Sequence, residues 1–200
     1  DGLVACCGRA LGFTPKKQCV TGNPVYSRLE DYAIDADSAE ERIVQHMSDY
    51  VPSLVYAISR TTEWKTVWKN ILQKEFPFFA AGELQFEIFM AYAGRSKVVP
   101  ELMWLRSHGE NEPYRGNDPS LDTKKTFLAW WVDSSKANEH EEFVLIMTRG
   151  FSELLAGASG DLRGVAIAGV QAYFKFDRKE KNCRGGLTIL KRLALKIIPR

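Results

Sequence analysis

The side chains with chemistry to offer are three His, four Cys and a scatter of carboxylates across 200 residues. His140-Glu141-Glu142 has the first half of a zinc-protease signature. That chemistry needs two His four residues apart, so that both imidazoles share one helix face and the Glu beside them serves as base. Position 144 is Val, so the cluster reads as the acidic first turn of a helix, where carboxylates meet the positive end of the macrodipole. His46 and His108 have no Cys, His or carboxylate at ligand spacing. Gly157-Ala158-Ser159-Gly160 ahead of a helix could cradle an anion on backbone N–H groups, but it lacks the Lys-Ser/Thr of a phosphate loop and reads as a turn between helices. Asp31, Asp35, Asp37 and Glu41 are out of register for an EF-hand and lack its central Gly. Ser152 and Ser159 have no assignable His and Asp partners. These patterns designate no catalytic residue, metal ligand or cofactor.

The N-terminal region carries peptide-like signals instead. Asn23-Pro24-Val25-Tyr26 matches the Asn-Pro-x-Tyr pattern read by phosphotyrosine-binding-type domains. Its turn leaves the flanking chain free to add as a strand to a partner's sheet. Tyr26-Ser27-Arg28-Leu29 also fits Tyr-x-x-Leu, a pattern read by trafficking adaptors. The plainer reading is a turn whose Val25, Tyr26 and Leu29 pack onto the body. Cys6-Cys7 in a flexible tail would be candidates for acylation, which together with basic residues makes a two-signal membrane anchor. Leu3-Val4-Ala5-Cys6 has the shape of a lipoprotein cleavage box, without an apolar segment before it.

The strongest binding signal is charge. Residues 175–200 hold nine Lys/Arg against two Asp/Glu, whereas residues 22–174 hold fifteen against twenty-two. The net charge of +2 therefore hides a basic tail of +7 behind an acidic body of −7. Lys175, Arg178, Lys179, Lys181, Arg184, Lys191, Arg192 and Lys196 suit an anionic partner. That partner is a membrane surface if the terminal helix lies flat on it. It is nucleic acid if Phe174 and Phe176 stack on bases. The alternative is that the tail pairs with its own acidic body.

The elements that must position these groups follow from periodicity. Residues 1–37 read as irregular, broken by Gly2, Gly8, Gly12, Pro15, Gly22 and Pro24. Ser38-Ala39-Glu40-Glu41 is a capping box, followed by Ile43, Val44, Met47, Tyr50, Val51, Leu54, Val55 and Ile58 at helical intervals, with Pro52 kinking the helix or splitting it near Tyr50. The aromatic stretch 61–92 holds two helices. In the first, Trp64, Val67, Trp68, Ile71 and Leu72 form one apolar face, which predicts burial of Trp68. Gly94 stops the second. Pro100 is expected to open a short helix through Arg106. Residues 107–120 are a loop, and further helices are expected over 123–132, 139–156, 165–176 (where the alternation also suits a strand and Asp161 as cap favours a helix), and 187–198. The expected fold is thus all-α, a single bundle of seven or eight helices. It divides into an irregular segment (1–37), a helical core (38–182) and a basic amphipathic C-terminal helix (183–200).

At 45% hydrophobic and 26% charged, the chain is ordinarily globular. No apolar run is long enough to span a membrane, no secretory signal is visible, and the Cys do not form a paired framework. The function expected is non-enzymatic. The chain reads as a scaffold docking on an anionic surface, most simply a peripheral, matrix-like membrane protein of the cytosol or the cytoplasmic face of a membrane. It has a possible protein partner at residues 23–29, and oligomerisation is open. The alternatives are a helical RNA- or DNA-binding coat or nucleoprotein component, and an enzyme whose site is scattered through the chain.

Overall fold

The computed structural model describes residues 2–15, 19–25, 29–107, 123–155 and 160–183, and the backbone alone at 21, 23, 123, 124 and 175–183. The fold is mixed α/β, which corrects the all-α expectation. Five strands form one sheet: β1 (Leu3–Pro15), β2 (Val20–Pro24), β3 (Ala33–Ile34), β4 (Ile58–Ser59) and β5 (Arg95–Ser107). The order is β2-β1-β5-β3, with β4 pairing β1. The two long strands β1 and β5 run parallel from Leu3↔Arg95 to Phe13↔Ser107, and the other pairings are antiparallel. Six helices are described: α1 (Ala39–Ser48), α2 (Thr61–Ile71), α3 (Phe79–Ala93), α4 (Thr123–Val132), α5 (Ala137–Leu154) and α6 (Leu162–Cys183).

The breakers that argued against strands turn out to sit inside them. Gly8 lies at a register break in β1, between Cys7↔Val98 and Arg9↔Leu102. A Cβ on Gly8 would meet Glu101 O at 2.6 Å, so only Gly allows the strands to approach here. Pro100 falls in the same break on the facing strand, where its missing N–H costs no ladder bond. It therefore interrupts β5 without ending it, and the expected helix over 100–106 is a strand. Residues 3–15, 20–24 and 33–34 are likewise strands, not irregular chain.

Parallel pairing of β1 and β5 needs a long crossover, and α1, α2 and α3 supply it. Helix α3 is the centre. Ala81 and every residue from Leu84 to Tyr92 is buried, as expected of a helix apolar nearly all round. It packs against α1, α2, α4, α5 and β1. Phe86, Phe89 and Tyr92 join Phe127, Phe143 and Phe151 in one aromatic-rich core that takes in Val4, Ala5 and Ile34 from the sheet. The capping box forms as expected: Ser38 Oγ accepts from Glu41 N, and Glu41 reaches back to Ser38 N. Helix α1 stops at Ser48, and the expected helical run on to Ile58 is instead an irregular connection that ends in β4. The apolar face of α2 is only half used. Val67 and Ile71 are buried, Trp68 is half-buried, and Trp64 and Leu72 are exposed.

Two glycines distinguish tight from open helix packing. In α5, a Cβ on Gly150 would overlap the Phe89 ring, so Gly150→Ala should destabilise by about 1–3 kcal/mol through overpacking. In α3, a Cβ on Gly82 would sit 3.6 Å from Ile71, an ordinary contact. Gly82→Ala should stabilise by roughly 0.5–1 kcal/mol. Urea unfolding midpoints of the two variants should move in opposite directions.

Candidate functional site

Three features of the described residues bear on function: a buried carboxylate network, a cleft that the network helps to build, and the basic end of α6. Glu87 in the middle of α3 is fully buried. Its carboxylate accepts from the backbone N–H of Leu54 at 3.1 Å and of Val55 at 3.0 Å, and it lies 2.7 Å from His46 Nε2. With Nε2–H donating to Glu87, Nδ1 is left to accept from the Tyr32 hydroxyl at 2.6 Å. Every lone pair and proton on the buried imidazole is thereby used. One helix turn away, Glu83 accepts from the Tyr50 hydroxyl at 2.9 Å. Burial pushes the Glu83 carboxyl above its ordinary value. The Tyr50 bond opposes this, and the nearby Glu87 charge adds to the rise.

The fixed Val55 backbone forms part of one wall of a cleft of about 940 Å³ between α2, α3 and the 72–78 connection. Trp68, Phe76, Phe78 and Phe86 line it, and Gln85 belongs to its lining although the residue is fully buried. Leu72 and Phe79 stand at the rim, 76% and 81% exposed. Such a volume is in the range of ligand sites, which are mostly apolar with a few placed polar groups.

Helix α6 is embedded at its N-terminal half. Asp161 Oδ1 accepts from Gly164 N at 2.8 Å, and Ala166, Val170, Ala172 and Tyr173 are buried against α1 and α5. The helix then continues through Cys183, carrying Lys175, Arg178, Lys179 and Lys181 as helical positions. Lys175, Arg178 and Lys179 follow i, i+3, i+4 spacing and share one face. Arg184, Lys191, Arg192 and Lys196, and with them the expected helix over 187–198, lie outside the described residues.

Of the peptide-motif residues, Asn23 and Pro24 end β2, paired with Gly12 and Leu11. Leu29 is buried, and Tyr26 lies outside the described residues. Cys6 and Cys7 belong to β1, not to a flexible tail. Burial, reinforced by the Glu87 charge, pushes the Cys7 thiol up, which keeps it protonated and a poor nucleophile. His140 Nε2–H donates to the Trp130 carbonyl at 2.8 Å and packs on the Trp130 ring, and Val144 is buried. Among the described residues, no group of three or more His, Cys, Asp or Glu is placed to hold a metal ion. No described helix is long and apolar enough to cross a membrane.

The cleft was missed by periodicity because residues from α2, α3, the start of α5 and the connections around them build it. The available signal was Gln85 and Glu87 within an otherwise apolar helical run. No family model, curated protein or solved structure matches the chain.

Glu87→Ala should strand the Leu54, Val55 and His46 donors in the core and cost about 3–5 kcal/mol. Glu87→Gln, which keeps one acceptor oxygen, should cost less by the same urea titration. Glu83 gives a pH signature. With its folded value raised above 4.5, the folded protein binds more protons than the unfolded chain as pH rises past that point, so this group's contribution to stability falls. Glu83→Gln can still accept from Tyr50. It should be more stable than the parent at pH 7, with the difference vanishing below about pH 4.5.

Proposed function

We propose that the chain is a non-enzymatic interaction protein that docks on an anionic surface, as a peripheral, matrix-like scaffold. It does so through Lys175, Arg178, Lys179, Lys181, Arg184, Lys191, Arg192 and Lys196. The observation carrying this reading is the continuity of α6. A helix whose first half is embedded in the core runs on into the most basic stretch of the chain, so a force on that stretch is transmitted to the folded body. The proposed location is the cytoplasmic face of a membrane, in exchange with the cytosol.

Flotation on anionic and neutral liposomes at two salt concentrations tests the reading. Binding should require anionic lipid and weaken as salt rises. Reversing Arg192→Glu and Lys196→Glu removes two attractions of about 1 kcal/mol each and adds two repulsions. The double variant should therefore lose about 100-fold or more in affinity, with stability changed by under about 0.5 kcal/mol. Unchanged flotation by a folded variant rules the segment out. Binding to single-stranded RNA but not to liposomes moves the assignment to a nucleoprotein. A large loss of stability means the tail pairs with its own body.

A further inference from the structure

We propose that the cleft between α2 and α3 is a binding site for an extended, apolar, neutral-to-basic segment of a partner protein, and that the Gln85 side-chain amide reads that segment's backbone. The inference rests on polar atoms without partners. Among the described residues, neither amide atom of Gln85 nor the indole N–H of Trp68 has a hydrogen-bond partner, although all three are buried. Both residues line the same cleft. A buried amide left unpaired costs free energy comparable to a lost hydrogen bond, so three such atoms on two residues lining one cleft mark a place where an outside group completes the structure.

The identity of that group follows from donor and acceptor counting. Gln85 offers a donor and an acceptor side by side, and Trp68 offers a donor only. A peptide group matches Gln85, with its C=O accepting from Nε2–H and its N–H donating to Oε1. Another carbonyl of the same segment can accept from Trp68. A helical segment already spends its backbone groups internally and cannot provide this match. A fatty acid carboxylate only accepts and leaves Gln85 Oε1 unmet.

Charge separates a peptide from a nucleotide, whose base edge also pairs with Gln amides. The charged residues of the lining are Lys74, Glu75, Glu83, Lys136 and Glu139. Both lysines are already engaged, Lys74 with Glu142 and Lys136 with Glu139. That leaves no unpaired cation in the lining to meet a phosphate or a carboxylate. The remaining lining is aliphatic and aromatic, and exposed Leu72 and Phe79 extend it outward to seat flanking apolar side chains. This site is separate from the basic segment, and its test does not depend on how that segment binds.

The test uses the full chain labelled with nitrogen-15, with the Trp68 indole and Gln85 carboxamide signals assigned by Trp68→Phe and Gln85→Met. The probes are the tripeptide N-acetyl-Leu-Phe-Lys-amide, laurate and uridine monophosphate. The tripeptide should shift both signals saturably and more strongly than either other probe. Gln85→Met removes the orphaned amide but keeps the side-chain volume. It should bind the tripeptide about 10-fold more weakly while its thermal midpoint stays level or rises. Leu72→Asp, at the exposed rim, should weaken binding without changing the midpoint. The proposal fails if the tripeptide leaves both signals unmoved, or if laurate or the nucleotide shifts them more strongly. It fails equally if either variant binds as tightly as the parent, or if Gln85→Met lowers the midpoint or does not fold, since the amide would then be paired within the protein.

Discussion

A carboxylate buried in the most apolar of the described helices is the constraint on which the remainder depends. Glu87 cannot stay in that position unpaired, because an isolated charge in the interior costs far more than the fold has to spare. It is tolerated because three N–H donors converge on it, one from α1 and two from the chain that follows α1. Those bonds fix the irregular 50–57 connection at the point where it crosses the core. Without the carboxylate, the Leu54 and Val55 amides would be orphaned, since that connection has no helix or ladder to satisfy them. The network therefore joins α1, the connection and α3 into one unit, and it also sets the wall of the cleft at Val55.

Arg42 makes the complementary arrangement at the other end of α3. Its guanidinium is buried and donates to the carbonyls of Ala91 and Tyr92 at 2.9 Å each, and to those of Ala36 and Asp37 at 3.2 and 3.0 Å. The last carbonyls of a helix lack internal partners and carry its negative dipole end. A cation placed there ends α3, and Gly94 then turns the chain into β5. A Cβ on Gly94 would overlap Val4, so the same glycine lets the first strand close against the start of β5. Two buried charges, both contributed by or directed at α3, thus fix where the central helix sits between the sheet and the other helices.

The helices were legible in the sequence and the sheet was not, for a physical reason. Ser38 and Glu41 are a local device, readable four residues at a time, and the helices expected over 123–132 and 139–156 follow local periodicity. Strands β1 and β5 pair across about ninety residues, and their validity as strands depends on each other. Gly8 looks like a breaker until Glu101 is seen against it, and Pro100 looks like a helix start until the register break opposite Gly8 is known. The apolar face of α2 was visible as a face, but its fate was not: Val67 and Ile71 meet α3 and α5, whereas Trp68 meets the open cleft. The charge asymmetry of the tail was fully legible, because a run of Lys and Arg needs no partner to be seen.

Local rules broken without compensation tend to mark working positions, since a sequence under selection for stability alone would remove them. Glu87 and Gln85 stand two residues apart on the same buried helix and make that contrast directly. Both are polar residues in a core setting. Glu87 is fully compensated by three donors, and a structural role accounts for it. Gln85 has no compensation among the described residues, and a Leu or Met of similar volume would remove the penalty at no cost in packing. Gln85 lines the cleft together with Trp68, which carries a second orphaned donor. A structural role leaves both the unpaired atoms and their shared location unexplained, whereas a backbone segment entering the cleft accounts for both.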